Sequence, residues 1–158
     1  MAAGAWKVFN RAKKYIGNGT LSLSSTTFRL ALATSAANLK TSASALPLVF
    51  RGSISGYCTS TDDCPRVGFA LADETWTAVS ATGANAKILR FDATDLVITA
   101  STSAIANIKY AYICLSGESA AAEKLLCYST LTTSPITSLA IGNTLTIQMN
   151  TSGVLRLS

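Results

Sequence analysis

The run Gly17-Asn18-Gly19 divides this chain into two stretches with different hydrophobic periods, and that change limits the fold more than any other feature. Before it, Ala5 to Ile16 read as a short amphipathic helix. Trp6, Phe9, Ala12 and Ile16 can share one side, and Lys7, Arg11 and Lys14 recur at i, i+4 and i+7. After it, Thr, Val, Ile, Leu and aromatic residues come in short runs with a period of two, separated by Ser, Thr, Gly and Asn clusters. Alternation of this kind builds half-buried strands, so the long second stretch is expected to be all β.

Leu21 and Leu23 alternate with serines, and Phe28, Leu30 and Leu32 alternate on the opposite parity. A bulge or break over Ser24 to Thr27 is therefore required to keep one sheet face buried throughout. Further strands are expected at Leu48 to Ser55, Thr75 to Ser80, Ala86 to Phe91, Asp95 to Ala100, Ile108 to Leu115, Lys124 to Leu131, Thr144 to Met149 and Val154 to Leu157. About eight or nine short strands with frequent turns predict a single β-sandwich, jelly-roll-like, over residues 20–158. Residues 1–19 form a basic N-terminal arm, helical or extended. The last two strands read as a hairpin around Asn150-Thr151-Ser152-Gly153, with Gly153 at positive φ. A symmetric hairpin over residues 110–131 would set Cys114 opposite Cys127, with 113 beside 128 and 115 beside 126.

At 158 residues the chain has room for one domain with a real core. Charged residues make up 13% against 49% apolar, which excludes a disordered chain. So low a charge, about half that of an ordinary soluble domain, suggests that part of the surface is covered by partners. Seven of the thirteen basic residues, Lys7, Arg11, Lys13, Lys14, Arg29, Lys40 and Arg51, precede the first acid, Asp62, and the remaining six face eight acids. A basic N-terminal third fits an acidic partner surface, nucleic acid, or simply a solvated face. A helix of about three turns is short for a membrane anchor, so docking on its own domain or on a neighbouring subunit is preferred over lying on a membrane. The early basic stretch lacks the apolar core of a secretion signal, and no apolar run approaches the roughly 20 residues of a span. The expectation is a soluble chain made in the cytoplasm.

The chain contains no His, so Ser-His-Asp and Cys-His catalysis are excluded and the usual general base is missing. Asp62, Asp63, Asp73, Glu74, Asp92, Asp95, Glu118 and Glu123 fall in turns or at strand ends, where acids are ordinarily solvated. No phosphate-binding glycine loop is present. An enzyme, a cofactor and a small-molecule substrate are therefore not expected. Cys58, Cys64, Cys114 and Cys127 lack the close pairing of structural zinc sites, and reduced thiols acting as small buried hydrophobes are expected. The segment Cys58 to Pro65 reads as an exposed turn, with a disulfide clip or a cation on Asp62 and Asp63 as alternatives. Tyr110 and Tyr112 could stack on bases, but core packing is the more ordinary reading.

The order of segments AWKVFNRAKKYI, LSLSSTTFRLALATSAAN, RGSISGY, FDATDLVITAS, NIKYAYICLSG, KLLCYSTL and LTIQMNTSGVLRL resembles that of a family of small virion proteins of tailed bacteriophages. The resemblance spans nearly the whole chain and consists of packing and turn motifs. The sequence departs from the pattern at Cys58 to Cys64, where a Gly-rich stretch would follow Gly56-Tyr57. The resemblance implies a capsid decoration or cement protein on the virion surface, assembled in the host cytoplasm. Its implied partners are the major capsid protein and further copies of itself, as a homotrimer. Contacts are then expected at Trp6, Lys7, Phe9, Arg11, Lys14 and Tyr15, because interfaces favour Trp, Tyr and Arg anchors. On that expectation, removing residues 1–16 abolishes particle binding and leaves the sandwich folded. A tail or head-to-tail protein, a host-surface binding module and a nucleic-acid-binding protein are the alternatives. Copy number per particle separates the first of these from a cement protein.

Overall fold

Eleven residues, Ile105 to Leu115, with only Lys109 charged, form the longest strand. In the computed structural model, which describes residues 4–21, 27–39, 54–58, 63–78, 89–116, 123–134, 136–149 and 153–157, this strand is the centre of the largest sheet. The described elements in chain order are β1 (Lys7–Val8), α1 (Asn10–Gly17), β2 (Phe28–Thr34), β3 (Phe69–Ala70), β4 (Thr75–Ala78) and β5 (Leu89–Asp92). They continue with β6 (Leu96–Thr99), β7 (Ile105–Leu115), β8 (Leu125–Thr130), β9 (Ile136–Leu139), β10 (Thr144–Ile147) and β11 (Leu155–Leu157).

The large sheet runs β1-β8-β7-β2-β3, all antiparallel, with β9 continuing the β8 side of β7. Opposite it lie the ribbon β10-β6 and the three-stranded sheet β11-β5-β4. Two neighbouring arches join the layers. The β6–β7 and β9–β10 connections cross side by side, since Thr99 opposes Thr144 in one layer and Ile105 opposes Leu139 in the other. Gly142 N–H donates to Ala100 O at 2.7 Å and Ala100 N–H to Asn143 O at 3.0 Å, binding the arches together. The chain is thus an all-β, sandwich-like body.

Residues directly opposed in a ladder point to the same face, which sorts the large sheet. Phe28, Leu30, Leu32, Ile113 and Cys127 face the second layer, where the Phe28 ring meets Phe91 of β5 at 5.1 Å and Trp76 of β4 stacks on Phe91 at 5.0 Å. Ala31, Ala33, Tyr110, Tyr112 and Tyr128 face the other way, yet all five are buried. A sheet with one solvated face was expected from the alternation. The centre of this sheet is covered on both faces, which is why β2, β7 and β8 read as nearly continuous apolar runs.

Several sequence expectations are corrected. The final two strands do not pair with each other: β10 joins β6, and β11 joins β5 in another sheet. Gly153 does have positive φ, at 86°, but it serves a crossing between sheets. A Cβ there would collide with the Arg90 side chain, and Val154 N–H donates to Phe91 O at 2.8 Å. Cys114 does not face Cys127. A register shift after Ile113 sets Ile113 against Cys127 and Cys114 against Leu125, so the thiols lie on opposite faces, and Tyr112, not Ile113, opposes Tyr128. The N-terminal helix is shorter than expected, because residues 7–8 pair with β8 as a strand. The expected strands at Leu21 to Leu23 and Leu48 to Ser55 fall largely outside the described residues, as does the loop Asn150 to Ser152.

Candidate interaction surface

Trp6, Val8 and Phe9 open the arm, and its own domain takes them up. Lys7 and Val8 oppose Tyr128 and Cys127, Gly4 N–H donates to Thr130 O at 3.2 Å, and Phe9 N–H to Leu126 O at 3.1 Å. Gly4 has no room for a side chain, since a Cβ would lie 2.6 Å from Thr130 O. Ser129, wholly buried, donates its hydroxyl to Gly4 O at 2.8 Å. The helix then starts without an acid or a side-chain cap and closes on Leu21, whose N–H donates to Tyr15 O at 3.0 Å.

The six expected contact residues therefore divide. Phe9 is fully buried, its ring 5.3 Å from that of Tyr128, and so is unavailable to a partner while the arm is docked. Trp6 and Tyr15 are half-buried against the same core, and the Trp6 indole N–H is buried without a hydrogen-bond partner among the described residues. Lys7 and Lys14 are exposed and Arg11 is half-buried. Lys13 belongs with them: it is exposed beside Lys14 on the solvent side of α1. Among the described residues no acid forms an ion pair with any of these four cations. The arm is a docked element with a cationic outer stripe, so deleting residues 1–16 would remove part of the core as well as a contact surface.

The segment from Cys58 to Pro65, expected as an exposed turn, is buried at Cys58, Asp63 and Cys64. Residues 56–58 pair with the C-terminal half of β2, where Thr34 N–H donates to Gly56 O at 2.8 Å and Cys58 N–H to Leu32 O at 3.2 Å. Residues 69–70 pair with its N-terminal half, Leu30 opposite Phe69. Residues 63–68, described between these two pairings, thus form an excursion from one edge strand. Cys58 and Cys64 are both buried, and burial raises their thiols to about 12 and about 11, with the mutual repulsion of two nearby thiolates adding to the first. Burial likewise raises the Cys127 thiol far above its ordinary range. All four cysteines are free thiols.

Asp63 is only 9% exposed, not solvated in a turn. Its carboxylate accepts bonds from Thr102 N–H at 2.7 Å, Ser103 N–H at 2.8 Å, Ser101 Oγ at 2.9 Å and Thr102 Oγ1 at 2.9 Å. The two backbone donors do most to hold this carboxyl below the ordinary range, with the hydroxyls adding to them. Asp63 ties the excursion to the β6–β7 arch. Nothing local in the sequence separates it from Asp62, because the partners lie about forty residues away. On the outer face the Arg66 guanidinium sits 4.4 Å over the Tyr57 ring.

Glu123, just before β8, is 3% exposed and not solvated in a turn, and the other described acids gather elsewhere. Thr94 N–H donates to Ala72 O at 3.0 Å, and its hydroxyl to Asp73 at 2.8 Å, while Asp92 opposes Thr75. Asp95 accepts Met149 N–H at 2.7 Å, and Glu74 accepts Phe28 N–H at 2.8 Å, its carboxyl raised by burial against the lowering effect of that bond. Asp73, Glu74, Asp92 and Asp95 share one corner, with Arg90 3.9 Å from Asp92. Beside it Val97 is 58% exposed on the outward side of β6, on the parity of Asp95.

Among the described residues no group of three or more Cys, Asp or Glu side chains is placed to hold a metal ion, and no helix is long and apolar enough to cross a membrane. Tyr110 and Tyr112 are buried in the core, not displayed for stacking. Comparison with protein-family models, with characterised proteins and with solved structures finds no match. What the fold defines is an all-β sandwich-like body with a docked cationic arm.

Proposed function

We propose that this chain is a structural component of an assembled particle, a capsid decoration or cement protein of the tailed-phage kind, whose cationic stripe is a contact surface. The observation that carries the reading is the row Lys7, Arg11, Lys13 and Lys14. These cations stand on an element whose apolar side is already taken up in the core, and none has an acid partner among the described residues. A row of like charges on an otherwise lightly charged chain favours an acidic surface in apposition. In this reading the chain sits on the virion surface against the major capsid protein as a homotrimer, assembled in the host cytoplasm, with jelly-roll-like strand order. Many identical weak contacts then add through multivalency.

The test is rebinding of purified chain to particles stripped of it, with gel densitometry of copy number. A cement protein is expected at hundreds of copies per particle, and K13E/K14E is expected to rebind at least about tenfold more weakly. About a dozen copies would instead indicate a tail or head-to-tail position. Tight binding to duplex or single-stranded DNA that falls steeply with salt would move the chain to the nucleic-acid class.

A further inference from the structure

The cationic stripe and the acidic corner lie at opposite edges of the large sheet. Helix α1 follows β1 and packs against β8, at one edge of the large sheet, and its Phe9 anchor is on the face turned away from the second layer. Asp73 and Glu74 directly follow β3, the other edge, and with Asp92 and Asp95 they belong to the side of the second layer. Four interstrand spacings separate β1 from β3, about 19 Å at ~4.8 Å each, so stripe and corner cannot meet within one molecule.

We infer that the acidic surface received by the stripe is the corner of a second copy, so that copies of this chain join head to tail. The inference deepens the function proposed above by naming the partner of the same stripe. Charge is complementary: exposed Lys7, Lys13 and Lys14, with Arg11 half-buried, match Asp73, Asp92 and Asp95, from which Arg90 subtracts a single charge. Apolar surface is complementary as well. Half-buried Tyr15 and Ile16 lie next to the stripe, and Val97 lies next to the corner, 58% exposed on the side of β6 that also presents Asp95. Since the two patches differ, the contact is heterologous: it closes into a ring if the rotation between copies permits and extends as a chain if not.

Sedimentation velocity of the full chain tests this. Association is expected at about 50 mM salt and should weaken at least tenfold by about 500 mM, where screening acts within about 4 Å. K13E/K14E removes the stripe. D73N/D95N removes corner charge while retaining the oxygen acceptors used by Thr94 and Met149, and Asn tolerates the positive φ of 51° at Asp73. Each variant alone should be monomeric. An equimolar mixture should form a dimer and nothing larger, because one copy retains the stripe and the other the corner. A monomer at all salts, association indifferent to salt, or two inactive variants that fail to complement overturns the inference. Rebinding to particles by a chain that never self-associates would overturn it and leave the proposed function standing; self-association without particle binding would do the reverse.

Discussion

The carboxyl groups of Asp63 and Glu74 behave oppositely because of what surrounds them. Asp63 accepts four hydrogen bonds and is held in its charged form, whereas burial favours the neutral form of Glu74. For Asp63 the folded-state pKa lies below the unfolded value of about 3.9, so its contribution to stability is complete above that value and is lost as pH falls through the folded pKa. Asp63→Asn is expected to unfold at lower urea than the wild type at pH 6, and the gap should narrow steadily below about pH 4. Urea titrations at a series of pH values check this; a constant gap would mean that the charge is immaterial. The thiols give a second residue-scale expectation. Cys58 and Cys64, raised to about 12 and about 11, and buried Cys114 and Cys127 should be silent to an aromatic disulfide reagent at pH 8 in the native protein, and all four should react in denaturant. Gly153→Ala should cost at least about 1–3 kcal/mol by the backbone conformation alone, with the contact to Arg90 adding to it, as thermal unfolding can measure.

At the scale of elements, the arm changes its meaning. Its helical period was legible, with Ala12 buried and Lys13 and Lys14 outside, because local amphipathicity reports which side of a helix faces a core. That Gly4 to Phe9 would pair along β8 was not legible, since Trp6-Lys7-Val8-Phe9 fits a strand as well as a first helical turn. Phe9→Ala should cost about 3–5 kcal/mol, and removal of residues 1–16 should cost at least as much, since the edge of β8 is uncovered too. Chemical denaturation of both variants checks this, and an unaltered midpoint would show that the arm is dispensable. The strands Phe28 to Leu32, Thr75 to Ala78, Leu96 to Thr99, Leu125 to Thr130 and Thr144 to Ile147 were all visible by their alternation or apolar runs. Two-residue β1 and β3 were not, because so short a strand has no period to detect, and β9 was not expected either.

For the molecule as a whole, the packing of β2, β7 and β8 on both faces sets the order of stability. Amide exchange should be slowest in residues 110–115, with 28–33 and 125–129 next, and fastest on the outward ribbon at Thr99 and Thr144, because buried ladders open only with global unfolding. Hydrogen-exchange mass spectrometry can rank them. The same architecture separates a basic edge from an acidic corner, which makes self-recognition a property of the whole fold and not of either patch.

By itself the order of residues determined the class of structure: alternation after Gly19 dictates pleated strands, Gly153 dictates a left-handed turn, and the missing histidine removes the common hydrolytic triads. These are local or compositional facts, carried within a few residues of one another. Which strands pair, why Asp63 and not a neighbouring acid clamps an arch, why Cys114 and Cys127 part to opposite faces, and how the arm's cations come to stand at the other edge of the sheet from the acidic corner were decided only by tertiary structure. Each depends on partners tens of residues away, whose approach is set by the joint burial of apolar surface in two layers, and no local pattern encodes that.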